Sequence, residues 1–180
     1  SFKVELNLIG KHNILNTLAA IGVACELGIK VTTIQDSLKC FSGVARRLDF
    51  HGSINIKEKS LSLFDDYGHH PSEINAVFEG LQNTYQQQRL VVIFQPHRFT
   101  RTRDLFDDFA RTLSKADVLI LLDIYPASEK PITHISSSTL ADAIRQRSTL
   151  DPVVAKDVHE IFNILPNIVQ PDDVLLTLGA

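Results

Sequence analysis

The stretch Leu63-Phe64-Asp65-Asp66-Tyr67-Gly68-His69-His70-Pro71 decides how this chain is read. An apolar run (Leu61, Leu63, Phe64) stops in two carboxylates, a phenol, a glycine and two imidazoles. Pro71 then opens a helix, a place where its missing N–H has no helical partner to lose. Polar chemistry between the end of a strand and the start of a helix is how open α/β sheets present ligand sites. The pattern recurs downstream, where the apolar Leu90–Phe94 is followed by Gln95-Pro96-His97-Arg98-Phe99-Thr100-Arg101-Thr102-Arg103. Two polar strand ends of this kind point to one shared pocket.

Around these stretches, strand-like runs alternate with amphipathic helices. Helices are expected over Pro71–Gln86, Asp104–Leu113, Ser137–Arg147 and Val158–Leu165, and strands over Leu90–Phe94, Val118–Leu122, Pro152–Ala155 and Val174–Leu178. Continuous Val/Ile/Leu strands separated by helices mean a mostly parallel sheet covered on both faces, an α/β, Rossmann-like domain. Upstream, Leu48–Ile56 and Ser60–Phe64 alternate around a polar Asn55–Ser60 stretch and read as a hairpin. Val44-Ala45-Arg46-Arg47 reads as a linker.

Residues 1–45 form a different, helical unit, leaving 46–180 as the Rossmann-like domain. Asn13 to Leu27 is apolar almost all round, so this helix should be buried on most sides, with Gly28 as its cap. A short helix follows from Thr32 or Thr33 to Ser42-Gly43. Phe2, Val4, Leu6 and Leu8 alternate with Lys3, Glu5 and Asn7, the period of a strand that Gly10 stops. The chain begins in mid-strand and ends directly after one, where a turn into a further helix is expected. It therefore reads as a fragment of a longer protein.

The bulk numbers exclude several classes. A net charge of −3 over 180 residues argues against a nucleic-acid binder, which carries a basic excess on one face. No apolar run approaches the roughly 20 residues of a membrane span, and no signal-peptide pattern opens the sequence. Cys25 and Cys40 fall in helical apolar patterns without zinc or redox spacing, and read as reduced core thiols of a cytoplasmic protein.

Asp65, Asp66, Tyr67, His69, His70, His97, Arg98, Arg101 and Arg103 are the candidates for chemistry. Two arginines three apart can form a fork for a carboxylate or phosphate. Arg103 is read instead as pairing with Asp104, Asp107 or Asp108, while Arg98 and Arg101, placed before the helix and beside His97, are read as ligand-binding. His69-His70 lacks the further ligands a metal needs, so no metal site is assigned, and imidazole contact with phosphate or amine fits better. Of Asp65 and Asp66, one is expected to cap a turn, and a ribose hydroxyl is the alternative partner. Gly10-Lys11-His12 is not a Walker A motif, and no GxGxxG is present.

Taken together, GKHNILNTLAAIGVACELGI, SGVARRLDFHG, DDYGHHP and FQPHRFTRTRDLFDDFA resemble the Mur ligases, ATP-dependent amide-forming enzymes of peptidoglycan precursor synthesis. The similarity covers essentially the whole chain. It implies that residues 1–45 are the tail of the central ATPase domain and 46–180 the C-terminal domain, with the P-loop and the Mg2+ ligands upstream. Within the family, the last two motifs point to the branch that joins L-alanine to UDP-N-acetylmuramate, the murein-tripeptide recycling branch being the alternative. The resemblance assigns Asn13, Arg47 and Asp66 to ATP, at adenine, phosphates and ribose respectively. It assigns Tyr67, His97, Arg98 and Arg101 to L-alanine, and His69 and His70 to the catalytic centre near the amine and the γ-phosphate. Without a P-loop the chain alone is expected not to turn over and to behave as a nucleotide- or amino-acid-binding module.

Overall fold

A computed structural model describes residues 2–180. The elements in order are α1 (Lys11–Glu26), α2 (Val31–Cys40), β1 (Asp49–Ile56), β2 (Lys59–Asp66), α3 (Pro71–Thr84), β3 (Leu90–Phe94), α4 (Phe99–Asp104), α5 (Phe106–Leu113), β4 (Val118–Leu122), α6 (Ser137–Arg145), β5 (Val153–Ala155), α7 (Val158–Ile168) and β6 (Val174–Leu178).

The six strands form one sheet in the order β1-β2-β6-β3-β4-β5. Only β1 runs antiparallel to its neighbour. The β1–β2 turn places both Lys57 and Glu58 at positive φ, the requirement of a two-residue hairpin turn whose twist matches its strands. β6 lies between β2 and β3, pairing Phe64 with Leu176 on one side and Val92 with Leu176 on the other.

Alternate residues of each strand feed two cores, as the period of 2 demands. Phe64, Val92, Phe94, Leu119, Leu121 and Leu176 pack under α3, α5 and α6, with Phe94 and Phe109 in ring contact at 5.6 Å. Leu61, Val91, Ile120, Leu122 and Leu175 face α7 through Ile161 and Leu165. A mostly parallel sheet with helices on both faces is what the strand runs predict.

Three expectations are corrected. Residues 2–9 form no strand. The alternation survives as half-buried Val4, Leu6 and Leu8, but the segment is tied to α2 through side chains, Asn7 Nδ2 donating to Lys39 O (2.9 Å) and Gln35 Nε2 to Lys3 O (2.7 Å). α1 is not buried on most sides: only Asn13 and Thr17 are buried, while Leu15 and Leu18 are each 56% exposed. Its neighbours are α2 and α3, too few to cover a helix apolar around its girth. Cys25 and Cys40 lie on exposed helix surface and are free thiols, not core residues.

Candidate functional site

Because β2, β6, β3 and β4 are mutually parallel, their C-terminal ends meet at one edge of the sheet. That edge carries Asp65-Asp66-Tyr67, Gly179, Gln95-Pro96-His97 and Asp123-Ile124-Tyr125. The loops after β3 and β4 are zipped together. His97 and Tyr125 form a parallel bridge, Arg98 N–H donates to Tyr125 O (2.8 Å) and Tyr125 N–H to Pro96 O (2.8 Å).

His97 is the centre of this edge. Its ring lies flat against Tyr125, centroids 5.4 Å apart and planes 14° from parallel. Its Nδ1 is 3.3 Å from Arg101 Nη1, which also reaches His97 O at 3.3 Å. Burial, then the charges of Arg101, Arg98 and His69, hold its pKa below the usual 6.5. The motifs after β2 and β3 thus share one edge of the sheet, with β6 between their strands. An arginine can only donate, so His97 Nδ1 accepts and the neutral ring carries its proton on Nε2.

His69 and His70 separate in role. His69 packs edge-on against Tyr67 (5.2 Å), and its Nδ1 lies 3.0 Å from Tyr67 O. His70 is the N-cap of α3, its Nδ1 accepting from Ser72 N–H (3.2 Å) while Glu73 Oε2 accepts from the N–H of both His69 and His70. It opens onto the flank between α3 and α5, beside Asn75, Asp108 and Lys115. His69 stays beside Tyr67 at the strand edge, whereas His70 is turned to the α3 flank.

Arg98 stands just before a helix, as expected, but Arg101 lies within it. The helix starts a turn earlier than Asp104, at Phe99, and breaks at Leu105 before resuming as α5, so Arg98 is the N-cap of α4 and Arg101 lies within it. Arg98 holds φ 75°, a left-handed conformation that costs a non-glycine residue roughly 1 kcal/mol or more. It is exposed. Arg103 pairs with Asp104 (2.7 Å), as expected.

A second cluster joins the crossover to the end of β2. Asp66 is 3% exposed; its Oδ2 accepts from Leu48 N–H and its Oδ1 from Gly68 N–H, both at 2.6 Å. Gly68 permits this fold-back, since a Cβ there would sit 2.8 Å from Asp66 Oδ1. Burial pushes the Asp66 carboxyl above the ordinary carboxylate value, against those two hydrogen bonds and the charge of Arg47. The structure thus shows Asp66 in the turn-capping arrangement, holding Leu48 and Gly68 together. Asp65 accepts from Thr177 Oγ1 (2.6 Å) and Arg46 Nε (3.1 Å). Arg46 also donates to Gly179 O, and its guanidinium lies 4.9 Å over the Tyr67 ring.

Asn13 is buried at the start of α1, with Nδ2 donating to Ile9 O (2.8 Å). Beside it stands His12, its Nδ1 buried without a hydrogen-bond partner and its pKa lowered by burial, with Asp66 and Arg47 near enough to act on it. An unmet imidazole nitrogen, an asparagine and the exposed Arg47 fit the contacts of a nucleotide. They do not fit a divalent cation: among the described residues no three His, Cys, Asp or Glu side chains come together.

Sequence reading missed His12, Arg46, Tyr125 and Glu129. Tyr125 was legible, because Val118–Leu122 ends in polar and aromatic residues just as β2 and β3 do. His12 carried only the false trail of a failed phosphate loop. An apolar groove of about 520 Å³, walled by Ile54, Leu63, Ile93, Leu122, Phe162 and Leu175, runs along the α7 face and reaches the strand edge at Arg46, Asp65, Gln95 and Gly179.

Residues 46–180 match the Mur ligase, glutamate ligase domain family, to which this chain belongs. It is 71% identical over 179 residues to the UDP-N-acetylmuramate–L-alanine ligase of Vesicomyosocius okutanii, covering 99% of this chain and 38% of that protein. It is 68% identical over 177 residues to the enzyme of the same name from Ruthia magnifica, covering 98% of this chain and again 38% of the relative. The crystal structure of UDP-N-acetylmuramate–alanine ligase from Thermotoga maritima superposes with a TM-score of 0.80 at 26% identity, over 100% of this chain and 37% of that one. The chain thus spans little more than a third of the length of these relatives. Among the described residues no helix is long and apolar enough to cross a membrane.

Proposed function

We propose that this chain is the part of a cytoplasmic UDP-N-acetylmuramate–L-alanine ligase that holds the amino acid and closes over ATP, with residues 1–45 belonging to the ATPase domain and 46–180 forming the C-terminal domain. One observation carries the reading: His97, Arg98 and Arg101 after β3 lie at the same parallel-strand edge as Tyr67 and His69 after β2, with Arg101 Nη1 3.3 Å from His97 Nδ1. The partners in this reading are ATP, UDP-N-acetylmuramate and L-alanine, with neither nucleic acid nor membrane.

In this chemistry the muramoyl carboxylate is activated as an acyl phosphate, the amine of L-alanine attacks it, and the tetrahedral intermediate expels phosphate. The chain's share is positioning and charge neutralisation. Arg98 and Arg101 supply a bidentate grip on the alanine carboxylate, and neutral His97 adds an Nε2–H donor. Tyr67 and His69 line the amine side. His12, Asn13 and Arg47 stand where the crossover meets ATP. Mg2+ would neutralise phosphate charge, and among the described residues no group of three metal-ligating side chains would hold it.

The test is phosphate release by the full-length protein with ATP and UDP-N-acetylmuramate, comparing L-alanine with L-Ala-γ-D-Glu-diaminopimelate. Release driven by free alanine is expected, and Arg98→Ala should raise the KM for alanine about tenfold or more while leaving that for ATP nearly unchanged. Release driven only by the tripeptide would refute the substrate assignment. Equal effects of Arg98→Ala on both KM values would refute the clamp.

A further inference from the structure

The loop after β4 does more than border the arginines. α4 begins without a cap of its own, because Arg98 at its N-cap makes no side-chain hydrogen bond to the first turn. The cap comes from elsewhere in the sequence. Glu129 Oε2 accepts from Thr100 N–H (2.9 Å), and Glu129 Oε1 accepts from the Thr100 hydroxyl (2.6 Å). To bring that carboxylate back over α4, the chain passes through two consecutive left-handed residues, Ala127 (φ 46°) and Ser128 (φ 70°). Such conformations persist in non-glycine residues only where the surroundings over-determine them.

The same loop holds His97 from the other side through the Tyr125 ring and the paired backbone bonds to Pro96 and Arg98. Arg98 and Arg101 stand on the first turn of α4, so the direction of both guanidiniums follows the axis of that turn. The bonds between Glu129 and Thr100 fix the axis against the sheet. The Thr100 hydrogen bonds, and after them the charge of Arg98, hold the Glu129 carboxyl below its ordinary value.

We propose that Glu129 is a positioning residue for the amino-acid clamp, setting the arginine pair through Thr100 without touching the substrate. The proposal rests on the reading of Arg98 and Arg101 as the L-alanine carboxylate site. A cap that served stability alone would lower the melting temperature and leave substrate affinity unmoved. A positioning cap moves the KM for the one substrate its helix grips.

The experiment uses the full-length protein and phosphate release, with KM measured separately for L-alanine, ATP and UDP-N-acetylmuramate. Glu129→Gln keeps the size of the side chain but removes the charge and one of the two oxygens that accept from Thr100. It should raise the KM for L-alanine about fivefold or more, with kcat and the other two KM values near wild type. Thr100→Val should reproduce the shift, and Thr100→Ser, which keeps the hydroxyl, should largely avoid it. The double variant Glu129→Gln/Thr100→Val should be no worse than the stronger single, as expected for one contact. Thr100→Val carries the test if Glu129→Gln does not fold. A loss of melting temperature with an unchanged alanine KM, or equal shifts for all three substrates, overturns the proposal. Arg101→Ala, measured alongside, separates the two failures. A large alanine effect there with a silent Glu129→Gln removes only the positioning role, whereas no effect from Arg101→Ala removes the clamp and this proposal with it.

Discussion

Replacing Asp66 by asparagine measures how firmly the crossover is held to the end of β2. Asp66 bridges Leu48 N–H and Gly68 N–H at 2.6 Å each from a position only 3% exposed. Asparagine keeps the volume but has one acceptor oxygen, so one bond is lost and an amide N–H is turned toward a buried donor. A hydrogen bond to a charged acceptor contributes about 1.5–3 kcal/mol, and relief from burying the carboxylate offsets part of that loss. The expected net cost is about 2 kcal/mol, or roughly 4–8 °C in melting temperature for a chain of this length. The assay is urea unfolding of residues 1–180 followed by circular dichroism. Asp65→Asn serves as the comparison; its carboxylate is partly exposed, and its loss should cost less than about 1 kcal/mol. The pH dependence has a definite sign. The folded-state pKa of Asp66 is raised above 3.8, so its contribution is fully present below that value and declines as pH rises through the raised one. The deficit of Asp66→Asn should therefore narrow from acid toward neutral pH. A variant within about 0.5 kcal/mol of wild type, or one less affected than Asp65→Asn, would refute the assignment of Asp66 as the buried tie.

Two further outcomes are expected. The His97 imidazole should titrate below 6.5 in an NMR pH series, and Arg101→Gln should move it back toward that value, since burial and then the Arg101 charge depress it; an unmoved His97 resonance would place Arg101 elsewhere. By the same sign, stability contributed by neutral His97 is complete above pH 6.5 and lost as pH falls through the depressed value. Gly10→Ala should destabilise the start of α1 by about 1–2 kcal/mol in the same unfolding assay, because Gly10 holds φ 96° and a Cβ would meet the His12 ring at 2.6 Å; a neutral result would mean that the ring swings away freely.

What the sequence disclosed follows from where each structural cause resides. The strands β3, β4 and β6 were legible to the residue, because a buried parallel strand writes itself as a run of Val, Ile and Leu. Pro71 as the first helical residue was equally legible, its cause being local. The start of α4 was not, because its cap is Glu129, 29 residues from the Thr100 it holds and not in the adjoining sequence. The same holds for Asp66: two adjacent aspartates look alike in sequence, and only the approach of Leu48 decides which turns inward. α1 misled in the opposite sense, since an apolar girth states that a helix is meant to be covered but not by what. That the ends of β2 and β3 come to one edge of the sheet was anticipated from their likeness, whereas the third such end, at Tyr125, went unused.

The position of β6 has a consequence in time. The hairpin that carries Tyr67 and His69 and the strand that carries His97 are neighbours in sequence, yet they do not touch in the sheet, because β6 separates them. Ser62 pairs with Val174, and Leu90 pairs with that same residue. During synthesis, then, the two halves of the arginine–imidazole edge can each be made early but cannot be brought into register until Val174–Leu178 has left the ribosome. Such long-range closure is slow compared with local helix formation. Until it occurs, the inner edges of β2 and β3 stand open to mispairing, and the last strand acts as the keystone that both completes the site and protects the nascent chain.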